Sequence, residues 1–551
     1  MAPQTVTEFF VSEARTHALA ESKNPHPTVH IAREDSSSSG GGGGGGEHEL
    51  PPEKRGTRAD RSDMRRMGMA QEFKRNFSFI PIFGFSAVLM MTWASVLSGV
   101  SYALPNGGLP ALIYNYVATL VGFGAAILSM AEMASMAPTS GGQYHWVSEF
   151  APKSSQKILS YLVGWFCVLG WQAGIAGQCF TVATQIQGLL VLNSATYIPQ
   201  PWHSTLLTIA AASVAVIFNS FFARKLPLLE GLILILLIFG FFGILIPLWV
   251  FAPRTPSAAV WTEFTQIAGW PNMGTACLVA LTGPIYALIG PDSAVHMAEE
   301  VHDASRTLPW AMVSTLALNG LTGLVMTITF AYCVGPMEAA LTPQFNFAFI
   351  GTFYNATQSK AGTTVMTLVV TTLALTSAVS NVATASRQLF AFARDHGLPF
   401  ADVVAKVRPG WDIPFNAVCI CFVCTSLLSL INLGSLVAFN AILSIGVVAL
   451  LTSYITSIGC ILLKRIRGEE LLPRRWSLGV PLGWISNVVG FVYVVLAFVM
   501  AFFPLYNNPT AEQMNWASAV YGGVGIVATA YYVGWARHIY IPPVSRLAKD
   551  L

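Results

Sequence analysis

Residues 277–309 read CLVALTGPIYALIGPDSAVHMAEEVHDASRTLP. The first part is apolar enough to lie in a membrane, yet it contains Gly-Pro pairs at 283–284 and 290–291. Proline removes a backbone hydrogen bond from a helix, so the freed amides and carbonyls need other partners. Many secondary transporters form their solute sites at such broken helices near the bilayer midplane. The stretch therefore indicates either a solute-binding break or a proline-kinked helix without a ligand.

The composition is typical of a polytopic membrane protein. Of 551 residues, 54% are hydrophobic and 10% are charged, whereas a soluble domain has about 25% charged residues. Twelve apolar stretches of about 20 residues are each long enough to cross a bilayer as a helix. We therefore predict an all-α fold with spans 1 to 12 at 78–104, 109–133, 158–190, 204–223, 227–252, 274–296, 308–335, 363–390, 415–432, 434–463, 482–505 and 515–540.

The segments outside the spans predict the orientation. Residues 1–76 are polar, with a serine run at 36–39 and a glycine run at 40–46, and are predicted to be a disordered tail. The loops on the side of the termini, with the C-terminal tail at 541–551, contain seventeen Lys or Arg, against Arg254 and Lys360 on the other side. Both termini are therefore predicted to be cytosolic. Asn355, in Asn-Ala-Thr, would then be an external glycosylation site.

Span 1 is also predicted to be irregular. Polar and small residues cluster in its middle, which reads TWASVLSG at 92–99. Spans 1 and 6 are five apart, which is the spacing of two inverted repeats of five helices. We therefore expect one repeat at 77–252, a second at 274–463, and two appended helices at 482–540.

Three motifs carry a family resemblance. They are EMASMAPTSGGQYHW at 132–146, IGPD at 289–292 followed by HMAEE at 296–300, and ASRQLFAFARDHGLP at 385–399. In this order they resemble fungal amino-acid permeases of the amino acid-polyamine-organocation superfamily, in the amino-acid/choline branch that includes GABA and choline permeases. The resemblance extends from residue 77 to about residue 540.

This resemblance implies a LeuT-like fold, in which broken spans 1 and 6 hold the solute and spans 3, 8 and 10 form the walls. Carried over to this sequence, it implies that Tyr286 is an aromatic gate. The implied substrate-binding residues are Thr92, Trp93, Ala94, Ser95, Trp171, Gln172, Gln178, Gly283, Tyr286, Ala287, Leu288, Asn381 and Asn440.

The residue chemistry agrees with an amino-acid or amine solute. Broken helices expose amides for a carboxylate, and Trp93, Trp171 and Tyr286 offer π-faces for an ammonium group. The alternative is that Trp171 and Gln178 only pack between helices. The chain departs from its relatives at Ala94, where they often have an acidic residue, and in span 5, where they have a titratable one and this chain is apolar at 236–238.

Acidic residues near the membrane are candidates for gating and coupling, because an intramembrane carboxylate is costly. Asp292 follows the second Gly-Pro pair and is predicted to be a gate or proton site. Glu132 and Glu230 are expected to cap helix ends or to pair with Arg224 or Lys225. A further acidic group, Glu299, Glu300 and Asp303, is expected to form an inner latch with Arg306, or with Arg387 and Arg394.

These observations predict a secondary transporter that imports an amino acid or small amine such as GABA, coupled to protons. The alternatives are a choline or polyamine permease and a non-transporting nutrient sensor of the same fold. We expect no enzyme activity, no cofactor, no metal site and no nucleic-acid partner. No nucleotide-binding motif appears, and no His cluster or nucleophile–base pair stands out in the spans. Cys419, Cys421 and Cys424 lack the nearby His or carboxylate of a metal site and are expected to be packing residues. The partners are the solute, protons and the bilayer. The plasma membrane is the expected location, with the vacuolar membrane as the alternative.

Overall fold

The computed structural model describes residues 52–545 except 336, 342–343, 408–409, 411, 435 and 512. In this part of the chain, eleven helices are long and apolar enough to cross a membrane. Residues 1–51 of the predicted tail, and residues 546–551, lie outside the described residues.

Nine spans are single helices, and their outer surfaces are apolar. In span 5, exposed side chains recur at intervals of three and four residues, at Leu232, Ile235, Phe239, Phe242 and Ile246. Such a stripe is covered by lipid in a membrane protein. The single-helix spans are span 2 (Gly108–Met136), span 3 (Gln156–Asn193), span 4 (Pro201–Phe221), span 5 (Leu226–Phe251), span 7 (Ala304–Cys333), span 8 (Lys360–Arg394), span 9 (Phe415–Gly434), span 10 (Leu436–Ile466) and span 11 (Gly479–Met500).

Span 12 was expected at 515–540 and has a more irregular helix than the others. It begins as the α-helix Ala517–Tyr531, continues as a π-helical turn over Tyr532–Ala536, and ends as Arg537–Ile539. It is not among the eleven long apolar helices of the described residues.

Span 1 is broken at Met91. The α-helix Phe79–Met90 ends there, and Thr92–Gly99 begins directly after it. Met91 adopts the left-handed conformation, with φ 35° and ψ 46°, which is uncommon for a residue other than glycine. Asn319 of span 7 accepts the freed N–H of Thr92 at 3.0 Å and donates to the carbonyl of Ala87 at 3.2 Å. One side-chain amide thus replaces the backbone bonds lost at the break.

Span 6 is divided into Met273–Val279, Thr282–Leu288 and Ser293–His296. The first Gly-Pro pair lies in the first turn of the middle helix, where the N–H that proline lacks is not needed. The second pair lies in the true break, where Gly290 has φ +118°. Only glycine adopts this conformation at low cost. The predicted interruption is therefore confirmed, at the second pair.

The two broken spans cross each other. The half-helix Thr92–Gly99 packs on Thr282–Leu288, and Phe79–Met90 packs on Ser293–His296. At the first crossing, a Cβ added to Gly283 would lie 3.2 Å from the carbonyl oxygen of Gly99, so glycine permits the close approach. Span 3 packs against span 8 and span 10 beside this crossing.

The bundle has two ends, which we call the tail face, where residues 52–76 pack, and the loop face at the opposite end. The loop face contains an antiparallel pair of short strands, β1 (Asn106–Gly107) and β2 (Thr265–Gln266). The short helices of the tail face are Ala223–Lys225, Gln143–Phe150, Ala298–Glu300 and Ala401–Val404, and those of the loop face are Val100–Tyr102, Ser257–Trp261, Met337–Leu341 and Ala348–Thr357.

Residues 52–76 differ from the predicted disordered tail, because they form the helices Pro52–Arg55 and Arg58–Arg66 and pack on the tail face. Asp60 accepts the N–H groups of Asp303 and Ala304, both at 2.9 Å, and so caps the start of span 7. The segment also buries three apolar side chains, Met64, Met67 and Phe73. Composition averaged over a long polar tail does not reveal these three anchors.

Candidate transport site

Two cavities lie along the breaks in spans 1 and 6. The outer cavity has a volume of about 430 Å³, lies toward the loop face, and includes Tyr102, Phe180, Phe347 and Tyr506 in its lining. The deep cavity has about 60 Å³, room for about two water molecules at their volume in the liquid. Tyr286 and Val447 line both cavities, so the two cavities adjoin at these side chains.

Five of the predicted substrate-binding residues line the deep cavity. They come from span 1, span 3, span 6 and span 8, and the break at Gly290 completes the lining. The amides of Gln178 and Asn381 are anchored by donating to the carbonyls of Ala374 and Ser377. Among the described residues lining either cavity, none is charged. The five residues are Ser95, Trp171, Gln178, Tyr286 and Asn381.

Trp93 is placed away from both cavities, contrary to its predicted role as a π-face for the solute. Its indole N–H donates to the carbonyl of Leu237 at 3.1 Å, and its ring packs edge-on against Phe241 of span 5. Because residues two apart on a helix point about 200° apart, Ser95 faces the cavity while Trp93 faces the bundle. Trp93 is therefore a packing residue here.

The other predicted substrate-binding residues whose side chains are described are also placed outside the lining. Thr92 donates from its hydroxyl to the carbonyl of Ala287 at 2.8 Å and so ties the two broken spans together. Gln172 donates to the sulfur of Cys421 in span 9. It follows Trp171 by one residue and therefore points away from the side of span 3 that lines the cavity. Ala94, Gly283, Ala287 and Leu288 are buried between helices. Asn440 belongs to the helix Leu436–Ile466, and its side chain lies outside the described residues.

A buried polar network lies beneath the deep cavity. Asp292 is fully buried and accepts hydrogen bonds from the Tyr454 hydroxyl at 2.5 Å and from the Gln143 amide at 2.6 Å. His296, one turn later, lies with Nε2 4.0 Å from the same carboxylate. The Trp171 indole donates to that nitrogen at 3.1 Å. The network thus joins the predicted coupling residue to the wall of the cavity.

Sequence reasoning did not assign functions to Gln143, His296 and Tyr454. Asp292 and His296 are four residues apart, and side chains at this spacing are neighbours on one face of a helix. The sequence therefore contains a signal that the two residues act together. Gln143 belongs to the motif between spans 2 and 3. Tyr454 has no sequence signal, because only the packing of span 10 brings it to Asp292.

Ion pairs close the tail face below this network. Arg387 is buried and donates to Glu300 at 2.8 Å, and Arg394 donates to both oxygens of Glu299 at 2.9 Å. The sequence left two sets of partners open for the acidic residues, Arg306 or the pair Arg387 and Arg394. The structure contains the pairing with Arg387 and Arg394 of span 8. Asp303 pairs instead with Arg475. Their role in gating stays a prediction.

The comparisons with known proteins agree with this architecture. The sequence model of a family described as amino acid permease matches residues 82–526, which is more than half of the chain. The chain belongs to this amino acid permease family. It is therefore a multi-pass membrane protein of a family of transporters.

Two relatives and one solved structure are also similar to this permease. A putative amino acid/polyamine transporter from Macrophomina phaseolina is 30% identical over 79% of this chain and 96% of the relative. The choline transporter of Saccharomyces cerevisiae is 25% identical over 83% and 81% of the two chains. The crystal structure of a mutant manganese transporter from Eremococcus coleocola has a TM-score of 0.50 at 14% identity, covering 86% and 95%. This last likeness shows the fold alone and confirms the LeuT-like architecture.

Two further carboxylates of the permease have partners other than those expected. Glu132 pairs with Arg465 and Arg474, at 2.5 and 2.9 Å, and not with Arg224 or Lys225. Glu230 is buried in span 5 and accepts the Ser380 hydroxyl of span 8 at 2.8 Å. Its second oxygen has no hydrogen-bond partner among the described residues.

Asn355 lies at the loop face, opposite the packed tail segment. It is exposed, within the short helix Ala348–Thr357. Its glycosylation stays a prediction.

Proposed function

We propose that this permease is a secondary active transporter that imports an amino acid or small amine, such as GABA, together with protons. The observation that carries the proposal is the pair of cavities along the broken spans, adjoining at Tyr286 and Val447 and closed toward the tail face by buried ion pairs. A site reached from one side and sealed on the other is one half of an alternating-access cycle.

The lining of the deep cavity supports a small solute with no large net charge. Neutral amides, the open backbone near Gly290 and the rings of Trp171 and Tyr286 provide hydrogen-bond partners and π-faces. Polyamines are less well suited, because none of the described lining residues carries a carboxylate. Choline is the second candidate, since aromatic rings bind quaternary ammonium groups and one relative is a choline transporter.

Asp292 supports proton coupling, because it is a buried carboxylate directly beneath the cavity. Glu230 is a second candidate for the same role, on account of its unpaired buried oxygen. We further propose that the tail face is cytosolic, that the loop face with Asn355 is external, and that the plasma membrane is the location. The excess of basic residues in the tail-face loops supports this orientation.

Uptake in a transport-deficient cell tests the proposal. Cells expressing the permease are given labelled amino acids, GABA, choline and polyamines in turn, and surface expression is measured with a tag. We expect saturable uptake of an amino acid or amine by the wild type and its loss in Asn381→Leu, which fills the deep cavity. The matched control is Gly243→Leu, since Gly243 has open space around it on span 5.

Uptake of choline alone would favour the second candidate. A well-expressed wild-type permease that binds one of these solutes but accumulates none would identify a non-transporting sensor. Equal uptake by Asn381→Leu and Gly243→Leu would show that the solute does not pass through the deep cavity.

A further inference from the structure

The side chain of Trp171 has two neighbours, the deep cavity and His296. It lines the cavity, while its indole N–H donates to Nε2 of His296 at 3.1 Å. The two rings are nearly perpendicular, at 81°, with centroids 5.5 Å apart. The only polar atom of the Trp171 side chain is thus held by His296 and kept from the solute.

This bond fixes the protonation state of the imidazole. The indole N–H is only a donor, so Nε2 of His296 is an acceptor and carries no proton. Nδ1 lies 2.9 Å from the carbonyl of Ser140 and donates its proton there. In a protonated imidazole both nitrogens are donors. Protonation of His296 and its hydrogen bond with Trp171 therefore exclude each other.

We propose that His296 is the residue through which a proton reshapes the solute site. A proton taken up on Nε2 releases the indole N–H of Trp171, which then donates to the carboxylate of a solute in the deep cavity. No covalent bond is broken, and the imidazolium turns its new N–H toward Asp292, 4.0 Å away in this structure. The inference rests on the proposed function and narrows its substrates to solutes with a carboxylate. Choline has no carboxylate that could accept the hydrogen bond from Trp171.

The groups around His296 suit this role. Asp292 is the nearest negative group, and its other contacts, Tyr454 of span 10 and Gln143, are neutral donors. Span 3 contributes Cys167 near the same carboxylate, and span 1 contributes the hydroxyl of Ser86, which donates to Pro291. The charged residues of span 8 at this end, Arg387 and Arg394, are paired with Glu300 and Glu299. Asp292 is thus the partner for a protonated His296.

The first test needs no transport. The purified permease in lipid nanodiscs is titrated between about pH 3.5 and 8, a range that includes and extends below the pH at which imidazole ordinarily changes charge. The fluorescence of Trp171→Phe is subtracted from that of the wild type, so that the contribution of Trp171 is isolated from the other tryptophans. We expect one transition in this difference, absent from His296→Gln, whose neutral side chain keeps an acceptor for the indole. His145→Gln, a second buried histidine at the tail face, is the matched control and should keep the transition.

The second test measures uptake of labelled GABA and amino acids against choline over the same pH range. We expect His296→Gln and Trp171→Phe to lose roughly 10- to 100-fold in affinity for the carboxylate solute at low pH, as for one hydrogen bond to a charged group, and to flatten its pH profile. Choline affinity should be unchanged in His296→Gln. Absence of a fluorescence transition in the wild type, its persistence in His296→Gln, or an unaltered pH profile would overturn the inference. No uptake of any solute would overturn the proposed function, while the fluorescence titration still decides the inference.

Discussion

Arg387 of span 8 donates from Nε to a carboxylate oxygen of Glu300 over 2.8 Å, with the guanidinium almost fully buried. The pair ties span 8 to the segment that follows the broken span 6. If the predicted inner latch opens during transport, these two elements must separate. We therefore predict that the contact contributes both to stability and to the choice of conformation.

Breaking this pair should destabilise the closed tail face. Arg387→Ala leaves Glu300 as an unpaired buried charge, which costs about 3–5 kcal/mol, and we expect a lower thermal unfolding temperature in detergent. Arg467→Ala is the control, because Arg467 and Glu469 form an exposed pair worth about 0–1 kcal/mol. The charge-reversed double variant Arg387→Glu with Glu300→Arg should recover part of the loss. Unfolding of Arg387→Ala at the wild-type temperature would show that the pair does not hold the face closed.

Asp292→Asn should separate transport from coupling. Asparagine keeps the size of the side chain, and the free oxygen of Gln143 can accept from it after the Gln143 amide rotates. If Asp292 carries the coupling proton, exchange of labelled for unlabelled solute should survive in proteoliposomes while accumulation against a gradient fails. Glu230→Gln tests the second candidate for the coupling site. Loss of accumulation in Glu230→Gln alone would move the coupling site to span 5.

Tyr286 should act through the bulk of its ring. Its position between the two cavities predicts that Tyr286→Phe changes uptake little, whereas Tyr286→Ala severely reduces the retention of solute. The measurement is the dissociation rate of labelled solute from the purified permease. Equal dissociation rates for wild type and Tyr286→Ala would rule out a gate at this residue.

The packing of the tail segment should weaken in acid. Burial alone would raise the pKa of Asp60, but the charge of Arg75 and three backbone N–H groups hold it below its ordinary value. A carboxyl with a lowered folded-state pKa stabilises the fold above its unfolded pKa, and that contribution is lost as the pH falls through the folded value. We therefore expect faster amide exchange in residues 52–76 below about pH 4, measured relative to the intrinsic exchange rate of an unprotected amide at the same pH.

Asp60→Asn should give the same faster exchange at neutral pH, since it removes the charge that faces Arg75. Asp63→Asn, on the same helix, is the control and should exchange as the wild type does. If Asp60→Asn also exchanges like the wild type, the carboxylate does not hold the segment in place.

The sequence predicts the spans and the break in span 6 well, because apolar length and Gly-Pro pairs are local signals. No local signal determines which side of a helix faces the cavity. Trp93 and Ser95 lie two residues apart, and only the packing of span 5 on Trp93 decides that Ser95 faces the deep cavity. The same reason explains Gln172, which points to span 9 while its neighbour Trp171 lines the cavity.

The polar network was less predictable than the spans. Asp292 is an evident candidate because a carboxylate inside a span is costly, but its partners Gln143 and Tyr454 lie 149 and 162 residues away in sequence. The order of residues 52–76 depends on similar long-range contacts, such as Asp60 with the start of span 7. Neither the polar network nor the order of residues 52–76 can be predicted from a pattern within one segment of the sequence.

The most direct test of proton-coupled import through this site is uptake by the purified permease in proteoliposomes, using the solute identified in cells. With an inward proton gradient, we predict accumulation above the external concentration, abolished by a protonophore and absent in Asn381→Leu. Saturable binding without any accumulation, or accumulation that a protonophore leaves unchanged, would contradict the account.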